Sequence, residues 1–274
     1  MAIVAPPPPK DLWRVVQLTD LHLFATTEQK LLGLNTAQSF HAVLEEMRLH
    51  HWPADVLLAT GDLAQDGSRG AYQTLAQALF SLQTPTYWIP GNHDDPQAMR
   101  EILAGSPIFV QRQVLLPPWQ IILLDSTLPD QVGGYLASEQ LSLLEFCLTQ
   151  HPDFYTLVCL HHHPLSLGCD WMENIGLKNG PEFLRVVQAY PQVRGVLWGH
   201  VHQQFEQQQG NALLMSTPST CIQFKPKTQE FSLDTQLPGY RWLELYSNGT
   251  LQTGVQRIAH LGVGQQIHMD SVGY

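Results

Sequence analysis

Positive charge is scarce in this sequence. Lysine and arginine number 14 against 24 aspartates and glutamates, a net charge of −10 with histidine counted as neutral. No basic run occurs anywhere. Nucleic-acid surfaces neutralise phosphates with such residues, so no nucleic-acid partner is expected. A small phosphate ester stays open, because bound metal ions bring positive charge that a residue count does not record. Cysteine is also scarce: Cys147, Cys159, Cys169 and Cys221 are the four, and none forms a CxxC pair. That spacing argues against a disulfide framework and fits thiols used as small apolar residues in a reducing compartment. No apolar stretch approaches the roughly 20 residues of a membrane span. The opening MAIVAPPPPKDLW has no long apolar region of the signal-peptide kind. A cytoplasmic location with no membrane partner is therefore expected.

What is present is a core. The 274 residues are 44% hydrophobic and only 14% charged, enough for one large domain or two small ones. Residues 1–10, with the run Pro6–Pro9, read as a flexible leader, and 11–274 as a single domain. Apolar runs at 13–20, 54–62, 85–95, 119–126, 154–163, 193–202 and 211–219 read as strands. Helix-like stretches lie between them at 35–48, 70–82, 96–104, 137–151 and 180–190, the first with Asn35 or Thr36 as N-cap. Residues 240–258 read as two strands around a Ser-Asn-Gly-Thr turn. The alternation predicts α/β layers with helices outside the sheet. The stretches 126–136 and 164–180 are the longest expected loops, and the second carries an apolar mixture, with Cys169, Trp171 and Met172, suited to folding over a site.

Histidine is unevenly placed. Of 13, seven fall in four short clusters: His22, His93, His161 to His163, and His200 with His202. Polar groups follow five apolar strands: Asp20-Leu-His22, Gly61-Asp62, Gly91-Asn92-His93-Asp94, His161 onward, and Gly199-His200-Val-His202. Ligand sites in open α/β sheets lie at the carboxyl ends of strands, so the five are expected to converge. In an extended segment residues two apart face one side, which would let Asp20 and His22, or His200 and His202, reach one cation. Each group alone has a plain structural explanation in turns or packing. Together they supply two carboxylates, an amide oxygen and three or four imidazoles, a mixed set suited to manganese, iron or zinc. Two such ions side by side form the phosphoesterase arrangement. The alternation argument sets His161 and His163 on one side and does not choose between them.

The five blocks, in this order over about 13–205, resemble the calcineurin-like metallophosphoesterases. The resemblance implies a four-layer αββα sandwich with a two-metal site at its rim. QLTDLHLF, LLGLNT, ATGDLAQD, WIPGNHD, LHHHPL, STPSTCIQFKP and the final GY are similar to the bacterial class III 3′,5′-cyclic AMP phosphodiesterases. That similarity implies Asp20, His22 and His202 on one metal, Asn92, His161 and His200 on the other, and Asp62 bridging them. It implies two divalent or trivalent ions, iron or manganese. It also selects His161 as the ligand of its triplet, leaving His162 and His163 to orient other groups or to pack.

The reaction so implied is hydrolysis of 3′,5′-cyclic AMP to 5′-AMP by a metal-activated hydroxide, with His93 as general acid. Implied phosphate and sugar contacts are His22, Asp62, Asn92, His93, His161 and His202. Trp171 and Phe224 are candidates to stack on a base. Asp94 reads either as a support for His93 or as a solvated turn acid. The rival readings are a broader diesterase or phosphatase on the same site, acting on 2′,3′-cyclic nucleotides or other esters, and a non-catalytic scaffold. Oligomeric state is not readable from the chain.

Overall fold

The computed structural model describes residues 7–273. In chain order the strands are β1 (Leu12–Leu18), β2 (Lys30–Leu31), β3 (Leu34–Asn35), β4 (Val56–Thr60), β5 (Thr86–Ile89), β6 (Ile108–Phe109), β7 (Gln113–Leu116), β8 (Trp119–Leu123), β9 (Tyr155–Cys159), β10 (Val193–Trp198), β11 (Phe205–Gln209), β12 (Ala212–Ser216), β13 (Gly239–Tyr246) and β14 (Leu251–Arg257). The helices are α1 (Thr36–His50), α2 (Arg69–Leu82), α3 (Pro96–Ile102), α4 (Ser138–Gln150) and α5 (Gly180–Ala189). One six-stranded sheet runs β14-β13-β1-β4-β5-β6, the other β11-β12-β10-β9-β8-β7. Both are mixed, with parallel centres: β1, β4 and β5 run together in the first, and β8, β9, β10 and β12 in the second.

The layering follows from strand alternation. In β4, Leu57 and Ala59 face α1 and α2, whereas Val56 and Leu58 join the core between the sheets. In β9, Val158 packs towards α4 and α5, and Leu157 and Cys159 turn to the same middle core. Three apolar layers thus separate four structural layers, as the family resemblance implies. Strands buried on both faces read as continuous apolar runs, which is why they were visible in the sequence.

Residues 1–6 of the expected leader lie outside the described residues; Pro7–Lys10 are exposed, and Lys10 pairs with Asp55 at 2.6 Å. Asn35 is the N-cap of α1, accepting from Gln38 N–H at 2.9 Å. All four cysteines are buried and unpaired. Among the described residues no helix is long and apolar enough to cross a membrane. Two differences from the sequence reading matter. Strand β11, FEQQQ, was not anticipated: it is an edge strand with a largely exposed, polar face and so carries no apolar period. The strands expected to reach Asp20, Asp62, His163 and His202 stop earlier, at Leu18, Thr60, Cys159 and Trp198.

A buried polar network joins the sheets near those strand ends. Gln17 of β1 donates to Thr60 Oγ1 at 2.6 Å and accepts from Thr217 Oγ1 of the segment after β12. Arg241 of β13, fully buried, donates to Thr217 Oγ1, Ser216 O, Thr253 Oγ1 and Glu206 Oε1. Removing one partner of such a network strands the others. Arg241→Met is expected to lower unfolding free energy in urea by roughly 2–4 kcal/mol. Glu206→Gln, at a partly exposed side chain, is expected to cost about 1 kcal/mol or less.

Candidate metal centre

The carboxyl ends of the parallel strands from both sheets meet at one edge, and the loops leaving them carry the expected residues. Five of these residues have left-handed backbone: Asp20 (φ 53°), His22 (48°), Asp62 (51°), His200 (67°) and His202 (48°). The described chain has nine non-glycine residues of this kind in all, so such strain is concentrated here. This corrects the sequence argument for Asp-x-His. The pairs converge because each loop curls through left-handed residues, not because an extended strand alternates.

Two sets of ligand atoms result. His22 Nε2 and His202 Nε2 are 3.1 Å apart, and His202 Nε2 lies 3.4 Å from Asp20 Oδ1. Asp62 Oδ2 lies 3.9 Å from His22 Nε2 on that side and 3.2 Å from His161 Nε2 on the other. Asp62, His161 and His200 form a second group whose ligand atoms lie within 4.8 Å of one another. Asp20 also accepts the His200 N–H at 2.9 Å, binding one set's loop to the other's.

Each imidazole is oriented by a hydrogen bond from its far nitrogen. His161 Nδ1 donates to Thr60 O at 2.9 Å, His202 Nδ1 to Ile222 O at 2.8 Å, His93 Nδ1 to Gln65 O at 2.9 Å and His200 Nε2 to Ile175 O at 3.0 Å. His22 Nδ1 meets Gln65 Oε1 at 2.7 Å. A carbonyl only accepts, so the opposite nitrogen of a neutral ring keeps its lone pair, the arrangement of metal-binding histidines. Asp62 Oδ2 and His161 Nε2 face each other at 3.2 Å, and two other atoms of the expected ligand set, Asn92 Oδ1 and His200 Nδ1, are buried without a hydrogen-bond partner. Each such atom costs about 1–3 kcal/mol unless something satisfies it. The carboxylate oxygens and imidazole nitrogens gathered around Asp62 fit cations of the manganese, iron or zinc kind.

Electrostatics agree. Burial lowers His22 to about 3, against the pull of Asp62. Burial and the neighbouring His162 and His161 hold His200 well below its ordinary value. Both rings are therefore neutral, as ligands must be. Burial alone would lower His161 too, but the Asp62 carboxylate beside it raises it to about 9. Asp62 in turn stays charged against the burial penalty because of His161. A cation between them would take the place of that proton, so binding is expected to release one. The glycines of the motifs allow this packing: a Cβ on Gly61 (φ 93°) would sit 2.3 Å from His161 Nδ1, and one on Gly91 2.2 Å from Asp62 Oδ1.

The remaining expected residues fall as follows. His161 points at Asp62, while His163 stacks on His200 with ring centres 5.6 Å apart, so geometry now separates the two. His162 is buried, with Nδ1 2.8 Å from Ser126 Oγ and Nε2 donating to Val132 O at 3.0 Å. It anchors the 126–136 loop, which pairs with 164–180 through Gly134 and Gly176 at 3.1 Å. Asp94 is more than a solvated turn acid. It accepts from Gly91, Leu63 and Ala64 N–H and from Tyr72 O–H, all at 2.9–3.2 Å, stitching two site loops together. Burial and the Asp62 charge push its carboxyl up to about 6 despite those donors. Phe224 is buried and stacked on His202, 4.1 Å between centres, with Trp171 edge-on to it at 5.2 Å. That face of Phe224 supports a histidine and is not offered to a base. Sequence reasoning missed Gln65, Ser126 and the carbonyls of Thr60, Ile175 and Ile222; main-chain acceptors leave no trace in a sequence.

The family described as calcineurin-like phosphoesterase matches residues 14–204. The chain is 45% identical over 247 residues, 90% of either chain, to the 3′,5′-cyclic adenosine monophosphate phosphodiesterase CpdA of Escherichia coli (strain K12). It is 41% identical over 260 residues to the CpdA of Pseudomonas aeruginosa, covering 95% of this chain and 94% of that one. It is 40% identical to a 3′,5′-cyclic-nucleotide phosphodiesterase of Nostoc, over 90% of this chain and 92% of that one. Among solved structures, a dimetal phosphatase from Danio rerio superposes with a TM-score of 0.60 at 15% identity, covering 90% of this chain and 99% of that one. A purple acid phosphatase from yellow lupin gives 0.62 at 15%, covering 94% and 54%. At such identities these two bear on the fold alone.

Burial holds His163 near 4, against about 6.5 for an unfolded chain. The unfolded state therefore binds the extra proton between those values, and stability is lost as pH falls from 6.5 towards 4. In chelator-treated protein, the drop in unfolding free energy from pH 7.5 to 5.0 is expected to be smaller in His163→Gln than in wild type, by on the order of 2 kcal/mol. Equal slopes in denaturant titrations would contradict this.

Proposed function

The chain belongs to the calcineurin-like phosphoesterases, and from that footing we propose that it hydrolyses 3′,5′-cyclic AMP to 5′-AMP. The observation that carries this reading is the end-to-end identity of 40–45% to cyclic-nucleotide phosphodiesterases, covering nine-tenths or more of both chains. The converging acceptors described above support it. We assign Asp20, His22 and His202 to one cation, Asn92, His161 and His200 to the other, and Asp62 to both. Iron or manganese is the proposed pair. Such ions supply Lewis acidity, neutralising the phosphodiester and making water nucleophilic at neutral pH.

The protein's own groups do the rest. His22, Asp62, Asn92, His93, His161 and His202 form the floor on which the cyclic phosphate is held. His93 is assigned as the general acid that protonates the departing 3′ oxygen. Its Nδ1–H bond to Gln65 O at 2.9 Å directs Nε2 as the proton-carrying atom, and the same carbonyl stabilises the ring when both nitrogens are protonated. The His93 N–H donates to Asp62 Oδ1 at 2.9 Å, which ties the acid to the assigned bridging carboxylate. One negative charge on the diester needs no Lys or Arg clamp, in keeping with the acidic composition. We read 11–274 as one domain, acting in the cytoplasm on a small cyclic nucleotide, with no nucleic-acid partner.

The test is turnover of 3′,5′-cyclic AMP by metal-loaded protein, with and without chelator. Chelator-sensitive 5′-AMP formation, faster than hydrolysis of 2′,3′-cyclic AMP and of an aryl phosphodiester, is expected. The reverse order would keep the chemistry and discard the substrate. His93→Ala is expected to lower turnover by about 10²–10⁴-fold while retaining both metals by elemental analysis. Loss of metal from that variant would refute the acid role.

A further inference from the structure

We infer that Gln65 is a positioning residue that sets how tightly the His22 half of the centre grips its cation; this rests on the two-cation reading above. Gln65 serves two functional imidazoles by different means. Its side-chain Oε1 lies 2.7 Å from His22 Nδ1, and its main-chain carbonyl accepts from His93 Nδ1 at 2.9 Å. The loop that delivers it is rigidly laced to the loop of Asp20 and His22. His22 N–H donates to Asp62 O at 2.9 Å, Leu23 N–H to Leu63 O at 3.1 Å and Gln65 N–H to Leu23 O at 2.8 Å. A substitution of the Gln65 side chain therefore touches His22 while leaving the His93 contact, which is main chain, in place.

The chemistry of an amide suits this position. His22 can bind a cation only through Nε2, the nitrogen that faces His202 and Asp62. That requires the proton on Nδ1 and an acceptor beyond it, which Gln65 Oε1 provides. In the absence of a cation, the Nε2 atoms of His22 and His202 lie 3.1 Å apart, and the His202 Nδ1 proton is committed to Ile222 O. Two lone pairs at that distance repel. Moving the His22 proton to Nε2 relieves the repulsion, and then Nδ1 needs a donor. An amide turned through half a rotation offers its NH₂. Gln65 thus supports both tautomers of His22, one ready for metal and one without it. A carboxylate at 65 would support only the first, and an apolar side chain neither.

The test uses full-length protein stripped with chelator and titrated with Co²⁺, followed by visible absorption and by equilibrium dialysis for stoichiometry. In Gln65→Leu one of two Co²⁺ equivalents is expected to bind about 10- to 100-fold more weakly, with the other unchanged. Gln65→Glu, close to the same shape, is expected to bind that ion at least as tightly as wild type. Two wild-type affinities in the Leu variant would overturn the inference. So would a Glu variant weakened as much as Leu. If Gln65→Leu does not fold by circular dichroism, the Glu variant decides alone: affinity at or above wild type supports the role and affinity below it overturns it. Wild-type protein that takes up no Co²⁺ would remove the two-cation reading, and this inference with it, a result separate from any failure with cyclic AMP as substrate.

Discussion

Everything at the centre depends on one contact between the two sheets. The Asp20 carboxylate, on the loop leaving β1, accepts the main-chain N–H of His200, on the loop leaving β10, at 2.9 Å. A side chain of one sheet is thereby fixed against the backbone of the other. A Cβ on Gly199 would meet Asp20 Oδ2 at 2.6 Å, so the approach is as close as a glycine permits. Beneath it, Gln17, Thr217 and Arg241 hold the same two sheets together through buried hydrogen bonds. Neither half of the proposed ligand set is complete on one sheet: His22 and Asp62 come from the first, His161, His200 and His202 from the second. The spacing between sheets therefore sets the spacing between ligands.

That dependence explains why the centre is expensive and stays in place. Five left-handed non-glycine residues, the unpartnered buried atoms Asn92 Oδ1 and His200 Nδ1, and a run of buried histidines are each unfavourable alone. They persist because three apolar layers and a polar clasp over-determine the loops around them. The carbonyls of Thr60, Gln65, Ile175 and Ile222 then choose the nitrogen that each ring presents. Precision comes from main-chain atoms whose positions the sheets dictate, which is the condition for a site that must hold geometry within a fraction of an ångström.

The residues around the ligands show how support is distributed. Asp94 binds three main-chain N–H groups and the Tyr72 hydroxyl and so joins the Asp62 loop to the Asn92 loop. His162 and Ser126 join the triplet to the 126–136 loop. Phe224 lies flat on His202. None of these need touch a substrate, yet each constrains a group assigned to touch metal.

The sequence by itself determined the alternation of strands and helices, because strands buried on both faces must be apolar runs and the helices between them must be amphipathic; that the strands divide into two sheets came from the family resemblance and the tertiary structure. It also pointed to the donors of a candidate metal centre, because oxygen and imidazole groups stand out after apolar strands. It could not show how those donors meet. Asp20 and His22 were grouped for the wrong reason, since their left-handed backbone is imposed by the contacts of neighbouring loops and not by a local pattern. His161 and His163 were equivalent on alternation alone and differ only because Asp62 of the other sheet stands beside one of them. Asp94, Gln65 and the orienting carbonyls were decided by tertiary structure for the same reason: Asp94 meets Tyr72 across 22 positions, Gln65 meets His22 across 43, and the carbonyls of Ile222, Ile175 and Thr60 lie 20, 25 and 101 positions from the rings they orient, and a hydrogen bond is a property of distance in space, which residue order does not contain.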